Sequence, residues 1–148
     1  MRGYDSAAIA AGRVMLSRLR ELAEQRLSFA FETTLASRTF APWLRDLGAS
    51  GYEVHLVFLW LSSADLAIER VADRVRSGGH NIPADVVRRR YAAGVRNFFG
   101  LYRPVATNWV LYNSSGPQPT LIAEGLELQP ERVYDTEVWA IIRGQGAA

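Results

Sequence analysis

Arginine supplies every basic side chain of this sequence, which contains 17 basic residues and no lysine. Six of these arginines lie between Arg70 and Arg90, on both sides of a loop at 77–83 that carries two adjacent glycines. A guanidinium group stays charged at any workable pH, and its planar donors match phosphate or carboxylate oxygens two at a time. The cluster therefore predicts a phosphate clamp that closes on a glycine hinge.

The absence of lysine excludes one common kind of phosphate site. A Walker-type loop has the pattern G-x-x-x-x-G-K-[ST], in which the lysine reaches the terminal phosphates. These 148 residues contain no lysine and cannot form that loop. A nucleotide bound by this sequence would have to be held without the usual cradle.

Length and composition predict one domain over residues 1–148, with a lid-like loop at 77–83 and a frayed tail at 144–148. There is no cysteine, which excludes disulfides, thiolate metal sites and cysteine nucleophiles. The longest apolar run is too short to span a membrane. We therefore expect a cytoplasmic protein without a membrane partner.

The spacing of apolar residues predicts alternating strands and helices. Such alternation is typical of α/β folds, which bind ligands at the carboxyl ends of parallel strands. The sequence thus predicts a parallel sheet with flanking helices and a ligand edge at Glu32, Leu61 and Asn113. The predicted strands cover residues 27–31, 54–61, 109–112 and 120–123, and the predicted helices cover residues 6–25, 38–47, 83–102 and 131–142, with one more helix after Ser62.

Local patterns add detail to these elements. The run 54–61 is nearly all apolar, which is typical of a strand buried on both faces, so we expect His55 to be a core residue. Ser62 and Asp65 have the spacing of a capping box, which predicts Ser62 as an N-cap. Ser6 is the predicted N-cap of the first helix.

Three stretches of the sequence form a distinctive combination. Residues 29–35 read Phe-Ala-Phe-Glu-Thr-Thr-Leu, and residues 70–83 carry three arginines and the sequence Gly-Gly-His. Residues 88–91 read Arg-Arg-Arg-Tyr and are followed by Asn97, Asn113 and Ser114. Together they resemble the zeta-toxin-like branch of the P-loop kinases over nearly the whole chain. The resemblance implies an ATP-dependent kinase that phosphorylates a hydroxyl group of a small molecule. Its cofactors would be ATP and Mg²⁺, and neither is expected to bind tightly to this chain alone. Zeta toxins proper phosphorylate a UDP-linked amino sugar, and the family context implies an antitoxin as a candidate partner.

The resemblance also implies roles for individual residues. Glu32 would orient the acceptor hydroxyl, and arginines near the loop would neutralise phosphate charge. Each of these residues also has a structural alternative. Glu32 could be simply solvated, and Thr33 or Thr34 could cap the helix that follows. His80 could be a structural cap, and Asn113 could form a turn. The candidate catalytic residues are Glu32, Arg74, Arg76 and Arg90; the candidate substrate or phosphate ligands are Thr33, Thr34, His80 and Arg89; and Asn113 is the candidate contact to the nucleotide base.

One departure from the family pattern is large. The family opens with a strand, the phosphate loop, a helix and a second strand that bears a catalytic aspartate, and the sequence shows none of these. We therefore expect an incomplete, truncated P-loop kinase-like domain that is inactive alone, since phosphoryl transfer depends on that cradle. The missing first strand would belong between the strands that end at Glu32 and Leu61, so these strands must pair directly or leave a gap.

Two other functions stay open. An exposed gap in the sheet would make the chain a strand-accepting module, which binds a second copy or a separate amino-terminal piece. Alternatively, Arg89, Arg96 and Arg103 form an outer row at seven-residue spacing that could bind nucleic acid. The nucleic-acid function ranks last because no aromatic platform accompanies the row: the tryptophans are predicted to be core residues, namely Trp43, Trp60, Trp109 and Trp139.

Overall fold

The computed structural model describes the backbone of residues 2–127 and 129–147 and the side chains of residues 10–127 and 129–147. The chain divides into two compact units, Met1–Glu32 and Thr33–Ala148. No helix in these described residues combines the length and apolar character that a membrane span requires. The helices are α1 (Arg2–Glu24), α2 (Phe40–Ala49), α3 (Ala64–Arg76), α4 (Ala84–Asn97) and α5 (Thr136–Ala147), and the strands are β1 (His55–Trp60), β2 (Asn108–Asn113), β3 (Thr120–Leu126) and β4 (Arg132–Val133).

The first unit consists of α1 and the segment that follows it. The helix begins at Arg2, so the predicted N-cap at Ser6 is wrong. The chain leaves the helix through Arg26, whose φ angle is 58°. Residues 27–32 then have no regular secondary structure, and the predicted strand over 27–31 is wrong.

The second unit contains a four-stranded sheet in the order β1-β2-β3-β4 among the described residues. Strands β1 and β2 are parallel, because the connection between them contains two helices and can cross over. Strands β3 and β4 each run antiparallel to their neighbour. The predicted α/β class with flanking helices is confirmed, whereas a wholly parallel sheet is wrong, since the short loop from β2 to β3 allows only a hairpin.

The two faces of β1 differ in burial. Phe58 stacks on Phe98 at a centroid distance of 4.8 Å. On the opposite face Val57 and Leu59 are 62% and 55% exposed. The prediction that this strand is buried on both faces is therefore wrong. His55 shares the open face and lies 3.5 Å from Glu53 Oε2 with its side chain 56% exposed, so it is not a core residue.

The core of the second unit is aromatic. After α4 the chain forms a π-helical turn, which replaces the last part of the predicted helix over 83–102. This turn buries Phe98, whose ring meets Trp109 edge-on at 5.7 Å. Trp109 in turn stacks on Trp139 of α5 at 5.8 Å. Of the tryptophans predicted for the core, Trp60, Trp109 and Trp139 are buried and Trp43 is half-buried.

The last helix begins and ends later than predicted. Residues Arg132–Val133 form β4, and Asp135 Oδ1 then accepts a hydrogen bond from Val138 N at 3.0 Å, as an N-cap does. The helix continues to Ala147 and so includes most of the predicted tail. Its end is held because Gln145 Oε1 accepts a hydrogen bond from Trp60 Nε1 at 3.0 Å.

Replacing Ser63 by alanine is expected to lower the free energy of unfolding by about 1 kcal/mol. Ser63, not Ser62, is the N-cap of α3, because Ser63 Oγ accepts a hydrogen bond from Leu66 N at 3.1 Å. Ser62 uses its backbone N to donate to Ser115 Oγ at 2.8 Å. Urea unfolding of Ser62→Ala should therefore stay within about 0.5 kcal/mol of the parent; equal losses in the two variants would contradict this assignment.

Candidate functional site

The carboxyl ends of the two parallel strands lie side by side, because Trp60 of β1 is in register with Asn113 of β2. Ser114 N donates to Trp60 O at 2.8 Å, which fixes the loop after β2 to the end of β1. Asn113 Oδ1 accepts a hydrogen bond from Ser115 N at 3.0 Å. Asn113 thus lies at the predicted ligand edge, and its side-chain oxygen forms a turn there.

Arg70 connects α3 to this edge. Its Nη2 atom donates to Ser114 O at 2.6 Å and lies 3.5 Å from Ser115 O and 3.4 Å from Gly116 O. Carbonyl oxygens are partners that a guanidinium can bind in a fixed direction. The arginine-bearing helix α3 therefore packs beside the ends of the parallel strands.

The glycine pair after α3 forms a helix C-cap. Gly78 has a φ angle of +90°. Gly79 N donates to Arg74 O at 2.9 Å and Gly78 N to Val75 O at 3.0 Å, which is the Schellman pattern. A Cβ atom at position 79 would lie 2.9 Å from Arg74 O, so the chain is tightly packed there. These contacts explain both glycines as helix termination, which the hinge interpretation did not foresee.

Two candidate catalytic residues, Arg74 and Arg76, lie in the last turn of α3. Arg74 Nη2 donates to His80 O at 3.4 Å, across the loop. Arg76 pairs with Asp73, and the two side chains are 73% and 62% exposed. An exposed ion pair of this kind contributes little stability. His80 itself is exposed.

Helix α4 has a buried stripe, in which Val87 and Val95 are buried and Tyr91 is half-buried. The three arginines beside that stripe have different environments. Arg88 Nη2 forms an ion pair with Asp65 Oδ1 at 3.0 Å, which ties α4 to α3. Arg89 and Arg90 are exposed, and no described residue forms an ion pair with either of them.

The segment that carries Thr33 and Thr34 lies against α4. A Cβ atom at Gly94 would lie 2.5 Å from Thr34 O, so only glycine allows this approach. Asn97 Nδ2 donates to Leu35 O at 2.7 Å. The two threonines make local turns: Thr33 Oγ1 accepts from Leu35 N at 3.3 Å and Thr34 Oγ1 from Ala36 N at 3.5 Å.

These contacts place Arg90 on the same side of α4 as the threonine segment. Residues spaced by three or four positions share one face of a helix. Arg90 precedes Gly94 by one turn, and Asn97 follows by nearly another, so the three form one row. Because Gly94 and Asn97 contact residues 34–36, Arg90 begins the row that faces them.

Tyr91 joins α4 and α5 to the end of β1. Its hydroxyl donates to Leu61 O at 2.8 Å and lies 3.2 Å from Gln145 Oε1. Burial raises the pKa of the Tyr91 phenol, and the Gln145 and Trp60 side chains partly oppose that rise. The phenol therefore stays protonated at neutral pH and can keep donating to the end of β1.

The outer arginine row is interrupted. Arg103 lies beyond α4 in a 3₁₀ turn, so it does not continue the helical spacing of Arg89 and Arg96. Its Nη1 atom pairs with Glu131 Oε2 at 2.9 Å, and its guanidinium lies 5.3 Å from the Phe99 ring centroid. The prediction that all three arginines form one solvated row is wrong for Arg103.

The remaining candidate catalytic residue is Glu32. Glu32 is the last residue of the first unit and is exposed. In the part of the chain that the structure describes, no three histidine, aspartate or glutamate side chains come together to hold a metal ion.

Sequence patterns missed three residues of this region: Arg70, Tyr91 and Gln145. Arg70 belongs to the arginine cluster, but its partners lie more than forty positions away. Tyr91 belongs to the motif at 88–91, but its partners Leu61 and Gln145 lie 30 and 54 positions away. Gln145 lies in the predicted tail, and no local signal indicates its contact with Trp60.

A cavity of 290 Å³ lies at the opposite end of β2 from this edge. Asn108, Gln129 and Arg132 are among the residues that line it. Since Asn108 begins β2 and Asn113 ends it, the cavity is separate from the candidate site.

Residues 3–116 of the chain match a protein family described as Zeta toxin. The chain is also 31% identical over 85 residues to an uncharacterized protein of Haemophilus influenzae, an alignment that covers 57% of this chain and 61% of that relative. The chain thus spans about three fifths of the length of this curated relative. No solved structure gives a significant match.

Proposed function

This chain belongs to the zeta toxin family, and from that premise we propose that it forms the arginine-bearing part of an ATP-dependent kinase for a small-molecule hydroxyl. Family membership agrees with the resemblance of the sequence motifs and with the mixed α/β sheet and its flanking helices. The choice of ATP as the phosphoryl donor rests on the family resemblance, and the phosphate-binding role rests on the site. The row that begins at Arg90 carries it.

The row of Arg90, Gly94 and Asn97 on α4 supports a phosphate-binding role for Arg90. Its guanidinium is exposed without an acidic partner among the described residues, so phosphate does not have to displace a carboxylate. The same helix face holds the segment of Thr33 and Thr34, whose hydroxyl groups can donate to phosphate or to a substrate. A cation beside hydroxyl donors is a suitable site for one anionic group.

Arg74 and Arg76 have a secondary role in this proposal. Arg76 holds only an exposed ion pair with Asp73, which phosphate can replace at little cost. Arg74 lies 3.4 Å from His80 O, so it keeps donor capacity for a ligand. We assign both arginines to charge neutralisation at the rim of the site, with His80 and Arg89 as further phosphate contacts.

Glu32 is proposed to orient the acceptor hydroxyl. It directly precedes Thr33 in the chain and carries an exposed carboxylate, which can accept a hydrogen bond from a hydroxyl group. Asn113 at the ends of the strands is the proposed contact to the base, through the amide nitrogen that its turn leaves available. An antitoxin and an amino-terminal partner piece remain proposed partners.

The 148 residues are not expected to transfer phosphate by themselves. They contain no lysine and so no Walker-type loop to align the terminal phosphates. Arginines bind phosphate charge, but in-line transfer also needs the nucleophile and the leaving oxygen to be held in position. Formation of ADP or phosphorylated product above the background rate by the purified chain would overturn this part of the proposal.

Replacing Arg90 by alanine is expected to weaken ATP binding by about tenfold to a hundredfold, the usual loss for one hydrogen bond to a charged group. Isothermal titration calorimetry of the purified chain with ATP would measure the affinities. Arg45→Ala is the matched control: it removes the same charge from an exposed ion pair with Asp46 on α2 and should change affinity less than about twofold. Equal losses in both variants would show that net charge, not the row on α4, determines binding.

A further inference from the structure

Three successive carbonyl oxygens in the loop after β2 contact one guanidinium group. Arg70 Nη2 lies 2.6 Å from Ser114 O, 3.5 Å from Ser115 O and 3.4 Å from Gly116 O. The negative ends of three carbonyl dipoles repel one another, and a cationic donor between them offsets that repulsion. Arg70 therefore stabilises the bent conformation of residues 114–116.

The same bend fixes the side chain of Asn113. The peptide group between Ser114 and Ser115 presents its N–H and its carbonyl oxygen in opposite directions, as trans peptides do. Its N–H donates to Asn113 Oδ1 at 3.0 Å, and its carbonyl oxygen is the nearest partner of Arg70. One peptide group thus joins the two side chains, and the orientation of the Asn113 amide depends on a peptide that Arg70 holds.

We propose that Arg70 is a positioning residue for the contact between Asn113 and the nucleotide base. The inference rests on the proposed function, in which the Asn113 amide nitrogen donates to the base. Because Oδ1 is held by the peptide, the nitrogen already has a fixed direction, and less conformational entropy is lost when the base binds. Without the Arg70 guanidinium the peptide can rotate, and the Asn113 amide can turn away. Arg70 itself needs no contact with the nucleotide.

The phosphate-binding row on α4 should not depend on Arg70. The contacts that fix the loop go from Arg70 to residues 114–116, whereas the row begins at Arg90 on another helix. A separate ion pair holds α3 beside α4, since Arg88 Nη2 lies 3.0 Å from Asp65 Oδ1. Removal of the Arg70 side chain should therefore loosen the loop without moving α4. The proposal thus predicts that Arg70 affects binding of the base and not of the phosphates.

Two ligands separate these effects in isothermal titration calorimetry of the purified chain: ATP, and inorganic tripolyphosphate, which has no base. Arg70→Ala should weaken ATP binding about threefold to tenfold, the usual worth of one neutral hydrogen bond, and change tripolyphosphate binding less than about twofold. Arg90→Ala should weaken both ligands. Arg45→Ala, which removes an arginine from an exposed ion pair on α2, should change neither by more than about twofold. Equal losses for both ligands in Arg70→Ala would overturn the proposal, because they would reflect lost charge and not a lost base contact.

A double-mutant cycle tests whether Arg70 acts through Asn113. In the Asn113→Ala variant the base contact is already absent, so the added Arg70→Ala substitution should weaken ATP binding by less than about twofold more. Additive losses would overturn the proposal. Unchanged ATP affinity in Arg70→Ala, with both ligands weakened in Arg90→Ala, would overturn the role of Arg70 and leave the phosphate site in place. A parent chain that binds neither ligand would overturn the proposed function itself, and this inference with it.

Discussion

Replacing Phe98 by alanine is expected to lower the free energy of unfolding by about 3–5 kcal/mol, the usual cost of removing a buried aromatic ring. Phe98 is fully buried and joins its turn to two strands, since it stacks on Phe58 of β1 and meets Trp109 of β2 edge-on. The cavity left by alanine would therefore loosen both the sheet and the turn after α4. Urea unfolding followed by far-ultraviolet circular dichroism measures the loss.

A surface position provides the control for Phe98. Ile141 is 55% exposed on α5, so Ile141→Ala should change the free energy of unfolding by less than about 0.5 kcal/mol. The adjacent Ile142 is fully buried, and Ile142→Ala should cost about 2–5 kcal/mol. A loss for Phe98→Ala no larger than that for Ile141→Ala would contradict the aromatic core.

Replacing Gly94 by valine is expected to destabilise the second unit by about 1–3 kcal/mol, the typical cost of overpacking. Its Cβ would lie 2.5 Å from Thr34 O, and a backbone atom cannot rotate away as a side chain can. Either α4 or the threonine segment must then shift. Because Arg90 lies on the same row, we also expect weaker ATP binding in this variant if phosphate binds there.

Gly144 is the matched glycine for this comparison. It lies in α5, is exposed, and would have nothing within 4 Å of an added Cβ. Gly144→Val should therefore leave the free energy of unfolding within about 0.5 kcal/mol of the parent value. A stable Gly94→Val variant with normal ATP affinity would contradict the close contact between α4 and Thr34.

The spacing of apolar residues predicted those helices and strands whose formation depends mainly on residues close together in the sequence. The apolar stripe of α4 and the strand around Val110 follow from the spacing of residues along the chain. The segment 27–31 has an equally strand-like composition, yet it has no regular secondary structure. Pairing between strands depends on distant residues, which local composition does not encode.

The site was predictable only where it depends on local sequence patterns. The arginine cluster and Asn113 are visible in the sequence, and the structure brings α3 beside the strand that ends at Asn113 through Arg70. The contact of Gly94 with Thr34 was not predictable, because it joins two segments sixty positions apart. The interpretation of Gly78 and Gly79 as a hinge overlooked that glycine after an arginine-rich last turn is also the usual sign of a helix C-cap.

The stacked indoles of the core give the protein a built-in optical reporter. Trp109 and Trp139 are nearly parallel, with an angle of 9° between their planes and centroids 5.8 Å apart. Two indoles held this close in a fixed packed orientation contribute to the near-ultraviolet circular dichroism of the native state. Because one indole belongs to β2 and the other to α5, this signal changes when that helix detaches, even while the secondary structure persists. Undocking of α5 can therefore be followed in real time without an attached dye.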